Sequence, residues 1–263
     1  MKIEQLVKET ENIVVACGQF IREESMQFSL KDVELKGKSD LVSYVDKQAE
    51  KLLVNDLSKL LPEAGFITEE GTIDQQDKEL TWIIDPLDGT TNFVHGVPSY
   101  AVSVGLKKEN EIILGFVYEI NRSECFYAWK DGGAYLNGEP IQVSPVKNLD
   151  EGLYSTGFPA NSFPKVEEYL SILRSLLSQS HGIRRMGSAA TDLAYVACGR
   201  LEGFFEYNLK PWDVAGASII IKEAGGYVSD FNGGDNYLFG REIIAGCKIH
   251  SQLVEVVQQH WHK

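Results

Sequence analysis

Residues 82–98 read WIIDPLDGTTNFVHGVP, an apolar run that meets two aspartates within four positions. Trp82-Ile83-Ile84 has the composition of a buried strand, and a buried strand does not end on two ionised carboxylates without compensation. Pro86 sets a turn and Gly89 permits an unusual backbone angle, which puts Asp85 and Asp88 on the same side of a tight turn. Their repulsion is relieved by a shared proton or by a cation, and an all-oxygen donor set favours a hard ion such as magnesium over zinc or copper. Three other readings compete. An EF-hand loop needs a longer alternation of oxygen ligands closed by a glutamate; aspartyl-phosphate chemistry uses Asp-x-Asp; and a helix N-terminus capped by Asp88 or Thr90 is open to any protein.

The surrounding pattern is mixed α and β. Ile3, Leu6, Val7, Ile13, Val14, Cys17, Phe20 and Ile21 recur near helical spacing. Residues 31–45 read as a loop or hairpin before a second helix, from about Asp46 to Leu61, with Ala49, Leu52, Leu53, Leu57 and Leu60 on one face and a stop at Pro62. The short strand Gly65-Phe66-Ile67 also runs into acid, at Glu69 and Glu70. From Tyr100 to Val143 the alternation and the turns at KEN, NRS, DGG and NG predict an antiparallel meander. Beyond residue 150 helices and strands alternate: GLYSTGF, Val166 to Leu177, GIRRMG, SAATDLAYVACG, GFFEY, about Val214 to Ala224, YVSDF, EIIAGC and SQLVEVVQQHW. With no flexible linker or repeat, residues 1–263 are expected to form a single domain of two closely packed subdomains, about 1–148 and 149–263.

The chain has 38 Asp plus Glu against 25 Lys plus Arg, a net charge of -13 that argues against direct nucleic-acid binding and against anionic membrane surfaces. An anionic substrate would need local cations, which bound metal can supply. The four cysteines fall in no zinc spacing, and the N-terminus carries charges every few residues, unlike a signal peptide or a membrane span. Both point to a cytoplasmic protein with reduced thiols. His95, with no second histidine at ligand spacing, is expected to be structural, hydrogen-bonding the turn.

A third acidic element lies far along the chain, in PWDVAGASIIIKEAGG. The set Glu69-Glu70, Asp85-Pro-Leu-Asp88-Gly-Thr90-Thr91-Asn92-Phe93, Trp212-Asp213-Val-Ala-Gly and Glu223-Ala-Gly-Gly226, with SDLVSYVD, GGAYLNGEPI and RRMGSAA, resembles the inositol monophosphatase family over nearly the whole chain. That family hydrolyses phosphate monoesters with magnesium and is lithium-sensitive. The resemblance implies a layered αβαβα sandwich of α/β (α+β) class, like that of the fructose bisphosphatases, and a homodimer. It also implies two to three Mg2+ ions. One would be held by Glu69, Asp85 and the Leu87 carbonyl, a second by Asp85, Asp88 and Asp213, and a weaker third would lie near Glu69. These ions would neutralise the phosphate dianion, activate water and stabilise the leaving oxygen.

Still by resemblance, Thr90 backed by Asp46 would orient the attacking water, with help from Glu69 or Glu70. Asp46 also suits a helix cap. The N–H groups of Gly89 and Thr90 would bind a phosphate oxygen. Gly187, Ser188, Ala189 and Glu206, with Asp213, match the positions that face the alcohol. Lys36-Gly37-Lys38-Ser39 matches a loop near the third metal, and Arg184-Arg185 suits a surface or dimer contact better than a substrate contact. The tail Gly-Thr-Thr-Asn-Phe-Val-His is similar to the monophosphatase branch, so the expected substrate is myo-inositol monophosphate. Relatives acting on sugar phosphates, fructose 1,6-bisphosphate or the NADP 2'-phosphate supply the alternative, and a regulatory or RNA-linked role without catalysis is a further one.

Overall fold

The first helix, α1 (Ile3–Ser25), buries Leu6, Val7, Val14, Cys17 and Ile21, with Ile3, Ile13 and Phe20 at the edge of the same face. The structure, a computed structural model, describes residues 2–28, 33–37, 40–159 and 163–261, with 33–37 and 40–42 described by backbone only. A hairpin of β1 (Val33–Gly37) and β2 (Asp40–Ser43) leads into α2 (Tyr44–Leu60). Lys38 and Ser39 of the expected active-site loop lie outside the described residues. α2 starts two residues before the expected Asp46 because Ser43 caps it. Leu52, expected on its inner face, is 41% exposed, and the stripe is completed instead by Val45, Asp46 and Glu50.

The meander is present. β3 (Gly65–Thr68), β4 (Leu80–Asp88), then after the short helix α3 (Thr90–His95) β5 (Ala101–Lys108), β6 (Glu111–Glu119), β7 (Glu124–Trp129), β8 (Gly133–Leu136) and β9 (Glu139–Pro140) form a seven-stranded sheet in sequence order. Only the β3–β4 pair is parallel. The second half supplies β10 (Leu153–Thr156), α4 (Val166–Leu177), β11 (Gly182–Arg184), α5 (Ala189–Ala197), β12 (Gly203–Tyr207), α6 (Pro211–Glu223), β13 (Tyr227–Ser229), β14 (Glu242–Gly246) and α7 (His250–Trp261). Its five strands run in the order β11-β10-β12-β14-β13, parallel at β11-β10-β12 and antiparallel at β12-β14-β13.

These elements stack as α, β, α, β, α. α1 and α2 cover one face of the large sheet, α5 and α6 fill the space between the sheets, and α4 and α7 cover the outer face of the small sheet. β4 shows why its sequence is apolar without alternation: Trp82 and Ile84 point to α1 and α2 while Ile83 points to the central layer, so both faces are buried. α6 lies against the sheet with almost no gap. A Cβ on Gly115 of β6 would sit 2.1 Å from the Gly216 carbonyl of α6, and one on Gly216 would sit 2.5 Å from the Phe116 carbonyl. Only bare backbone fits on both sides of that contact. Among the described residues no helix is long and apolar enough to cross a membrane.

Candidate active site

The site forms where β4 leaves the sheet. β4 pairs with β5 as far as Asp85–Ser103 and then slips, so that Asp88 faces Ala101 with one extra residue on β4. Pro86 occupies this bulge, where a missing N–H is tolerated, and Leu87 N–H donates to Asp85 Oδ1 at 2.9 Å. The strand thus continues to Asp88 through a bulge, where Pro86 in the sequence predicts a tight turn. Gly89 follows at φ 97°, where a Cβ would lie 3.0 Å from the Ser99 carbonyl and 3.1 Å from that of Gly187. It caps α3 without a side chain, so neither Asp88 nor Thr90 is that helix's cap. His95 is exposed. The turn it was expected to hold is fastened instead by Asn92, whose amide donates to the Ser99 and Met186 carbonyls at 2.7 and 2.8 Å.

Two further segments come to this end of β4. α6 begins at Pro211, three residues before the expected start, because proline suits the first helical position and Asp213 the third. Asp213 Oδ2 accepts from Lys210 N–H at 2.7 Å, and Ser103, the partner of Asp85, donates to the Trp212 carbonyl at 3.0 Å. Glu69 follows β3, its N–H donating to the Ile84 carbonyl at 3.2 Å, and its carboxyl group hydrogen-bonds Asp85. One carboxylate oxygen from each of Asp85, Asp88 and Asp213 lies within 4.8 Å of the others.

Such crowding is reflected in acidity. Burial, then the charges of Glu69, Asp88 and Asp213, push the Asp85 carboxyl well above the usual range. Burial and the Asp88 charge push Asp213 to about 8. Asp88 is also raised by burial, but less freely, because the Ser188 hydroxyl and the Ala190 N–H both donate to its Oδ2 at 2.6 Å. It therefore sits at the start of α5, where the helix dipole favours negative charge. Three crowded oxygen donors, with Asp85 raised by burial and the charges of Asp88 and Asp213, and Asp213 by burial and the charge of Asp88, fit a hard divalent cation, which would remove the repulsion.

Asp46 serves two purposes with its two oxygens. Oδ2 accepts from Ser43 N–H at 2.8 Å and Ser43 Oγ at 2.6 Å, the capping arrangement that starts α2; Oδ1 takes the Thr90 hydroxyl at 2.9 Å. The same hydroxyl lies 3.0 Å from the Leu87 carbonyl. Helix cap and partner of Thr90 are one residue.

Asp88, Asp213 and Glu69 line one wall of a cleft of about 340 Å3, and Glu206, Asp192 and Gly157 line the other. Gly187, Ser188 and Ala189 lie in its lining as well. Glu206 rests against the bare Cα of Gly157, where a Cβ would fall 2.2 Å from its carboxylate. Burial, then the charge of Asp192, raises Glu206 to about 8. Glu70 is half-buried beside Glu69 with its N–H on Glu50, while Asp85, Leu87 and Asp46 are fully buried.

Sequence reasoning passed over Glu50 and Asp192. Both are buried acids on otherwise apolar helix faces, and that pattern was the available signal. Arg184 and Arg185 are both exposed; Arg185 lines the cleft and lowers the carboxyl pKa values of Asp88, Asp192 and Glu206.

Comparison with known proteins gives a consistent result. The family model described as "Inositol monophosphatase family" matches residues 2–262. The chain is 43% identical to "Nus factor SuhB" of Escherichia coli (strain K12) over 212 residues, 80% of this chain and 79% of that protein. It is 40% identical to "Inositol-1-monophosphatase" of Mesorhizobium japonicum over 218 residues, 82% of each. The crystal structure of extragenic suppressor protein suhB from Bartonella henselae superposes with a TM-score of 0.91 at 37% identity, covering 97% of this chain and 99% of that one. Three acidic segments brought together by this fold, and a match along the whole length, place the chain in the inositol monophosphatase family.

Proposed function

We propose that the chain is a Mg2+-dependent phosphomonoesterase acting on small phosphorylated polyols, with myo-inositol monophosphate as first substrate. The observation that carries this reading is the meeting of Asp85, Asp88 and Asp213 beside the Thr90–Asp46 pair. Glu69, Asp85 and the Leu87 carbonyl would hold one magnesium ion, and Asp85, Asp88 and Asp213 a second. When bound, the cations neutralise the phosphate dianion and make a water nucleophilic at neutral pH.

The chain's own residues do the rest. Thr90 Oγ1 donates its proton to Asp46 Oδ1, which leaves its lone pairs to accept a hydrogen bond from the attacking water and fix that water's direction. Burial raises the pKa of Asp46, which suits Oδ1 to take up the proton released. The N–H groups of Gly89 and Thr90, at the opening of α3, would donate to a phosphate oxygen. On the opposite wall Glu206 would accept hydrogen bonds from the alcohol's hydroxyls, a form of recognition that needs no hydrophobic pocket.

The same reading takes the chain to be a cytoplasmic homodimer and one phosphatase domain, its subdomains 1–148 and 149–263 meeting at the cleft. The test is phosphate release from inositol 1-phosphate, NADP, fructose 1,6-bisphosphate and adenosine 3',5'-bisphosphate, with and without Mg2+ and with added Li+. Release from the first, dependent on Mg2+ and suppressed by Li+, is expected. Preference for NADP or the bisphosphate would replace the substrate but keep the chemistry, and no release from any would sink the enzyme reading.

A Nus-factor role is the second reading, favoured by the 43% identity to SuhB. A net charge of -13 points such a role toward protein partners rather than an RNA backbone. Complementation separates the two: if Asp88→Asn restores a strain lacking this chain as well as the parent does, catalysis is not what that strain needs.

A further inference from the structure

α2 carries two acids one turn apart, Asp46 and Glu50, and Glu50 is 0% exposed. A carboxylate at such a position is tolerated only when its lone pairs are engaged. Glu50 Oε2 accepts from Glu70 N–H at 2.7 Å, and Oε1 accepts from Thr72 N–H at 2.6 Å and from the Thr72 hydroxyl at 2.7 Å. All three donors belong to the short segment that follows β3. That segment carries Glu69 and Glu70, and beyond the bond from Glu69 N–H to Ile84 it has left the sheet. Thr68 and Gln75 hold one another at its base, through bonds of 2.8 and 3.1 Å. Glu50 reaches its middle from another element, through the 70 and 72 backbone.

Helix α2 therefore fastens both acid-bearing segments of the large sheet. Asp46 fixes the one that follows β4, through Thr90, and Glu50 fixes the one that follows β3, through backbone N–H groups. Since the two acids are four residues apart on one rigid helix, they set the separation between the segments. We infer that Glu50 is a positioning residue of the metal centre: it holds the 70–72 backbone so that the Glu69 carboxylate stays against Asp85. This rests on the reading of Glu69 as a metal ligand. Glu50 itself touches neither substrate nor metal in this scheme and acts through the segment it holds.

The test compares Glu50→Gln, Thr72→Val and Leu57→Ala with the parent chain. Gln keeps the shape but turns an NH2 toward a backbone donor; Val removes one hydroxyl donor at a half-buried position; Leu57→Ala opens a cavity on the same buried face of α2 and serves as the structural control. Two readouts are taken: Mn2+ binding to the metal-free chain by electron paramagnetic resonance, and the Mg2+ dependence of phosphate release. Glu50→Gln should weaken Mn2+ binding and raise the Mg2+ half-saturation by about tenfold or more, as loss of a group that orients a metal ligand does. Its kcat at saturating Mg2+ should stay near the parent's. Thr72→Val should shift both in the same direction by less, and Leu57→Ala should melt earlier with Mn2+ affinity unchanged.

A folded Glu50→Gln chain with parental Mn2+ affinity overturns the inference, as does an affinity change of equal size in Leu57→Ala. If Glu50→Gln does not fold, Thr72→Val decides, and parental affinity there overturns it. A parent chain that binds Mn2+ but releases no phosphate defeats the proposed activity while the binding series still decides the role of Glu50. A parent chain that binds no Mn2+ defeats the metal centre and this inference together.

Discussion

The two walls of the cleft both carry buried carboxylates, and they treat them differently. On the wall of β4 and α6, Asp88 and Asp213 each have an oxygen tied by a backbone N–H from a nearby helix start, and behind them Asp46 on α2 and Asp85 take the Ser43 and Leu87 N–H groups. On the wall of α5 and β12, Asp192 is 1% exposed; burial raises its carboxyl pKa and the Ser155 hydroxyl beside it lowers it, but Oδ1 is left without a partner among the described residues. Glu206 beside it is held neutral by burial up to about pH 8. A buried acceptor without a donor is costly, and it is best compensated by donors that arrive with a ligand. The first wall's hydrogen bonds are made by the chain itself, although its crowded carboxylates still call for a cation. In the proposed reaction the second would be completed by the alcohol.

The sharpest way to break this contrast is at the first wall. Asp88→Asn or Asp213→Asn should lower phosphate release by on the order of a thousandfold, the loss of several kcal/mol of transition-state stabilisation, with an unchanged circular dichroism spectrum. Near-parental turnover would mean that the metal ligands lie elsewhere. At the second wall the effect should be smaller and of another kind. Glu206→Gln should raise KM for inositol 1-phosphate by about tenfold while leaving the Mg2+ half-saturation alone. A shift in Mg2+ dependence would show that the two walls do not act separately.

Both walls contribute to the pH dependence of stability, and the sign follows from the direction of their shifts. Glu206 and Asp213 are raised to about 8 in the folded chain, from 4.5 and 3.8. Between those limits the folded state binds protons that the unfolded state has lost, so this contribution is greatest below the unfolded values and falls as pH rises to about 8. The metal-free protein should therefore melt several degrees lower at pH 8 than at pH 5. Added Mg2+ should stabilise it more at pH 8, where the acids ionise at least cost. A melting temperature that rises between pH 5 and pH 8 without metal would contradict the burial of these groups. The smallest effect is expected for Leu87→Ile: in the proposed metal site only its main-chain carbonyl would take part, so Mn2+ affinity should stay parental, at a stability cost below about 1.5 kcal/mol.

How much of this was written locally in the chain differs between the same two walls. Asp213 follows a proline at a helix start, and Asp85 and Asp88 flank Pro86 before Gly89, so short-range rules place them. Ser43 and Asp46 form a capping pair three residues apart and can be read in the same way. Strand β4 follows from its unbroken apolar run, and the meander from alternation and turn residues. Glu50 and Asp192 could not be placed from their neighbours, because what each acid faces depends on which distant segment folds against it. Leu52 was misplaced for a related reason: the inner face of α2 is narrower in apolar residues than hydrophobicity suggests, since two acids occupy it. His95 drew attention by its chemistry, but the turn is held by the plainer Asn92. On the proposed reading, which alcohol the cleft accepts would be a property of the second wall.

The closeness of α6 to the sheet bears on ion size. Asp213 stands one turn before Gly216, and the helix that carries it rests on β6 through main-chain atoms at Gly115 and Gly216. In a magnesium centre the span from Asp213 to Asp85 is then fixed by how near two backbones can come. A methyl group at either glycine would lift the helix and open that span, toward the longer oxygen distances that calcium prefers over the roughly 2.0–2.1 Å of magnesium. Discrimination by ionic radius would thus be lodged in two positions that have no side chain at all.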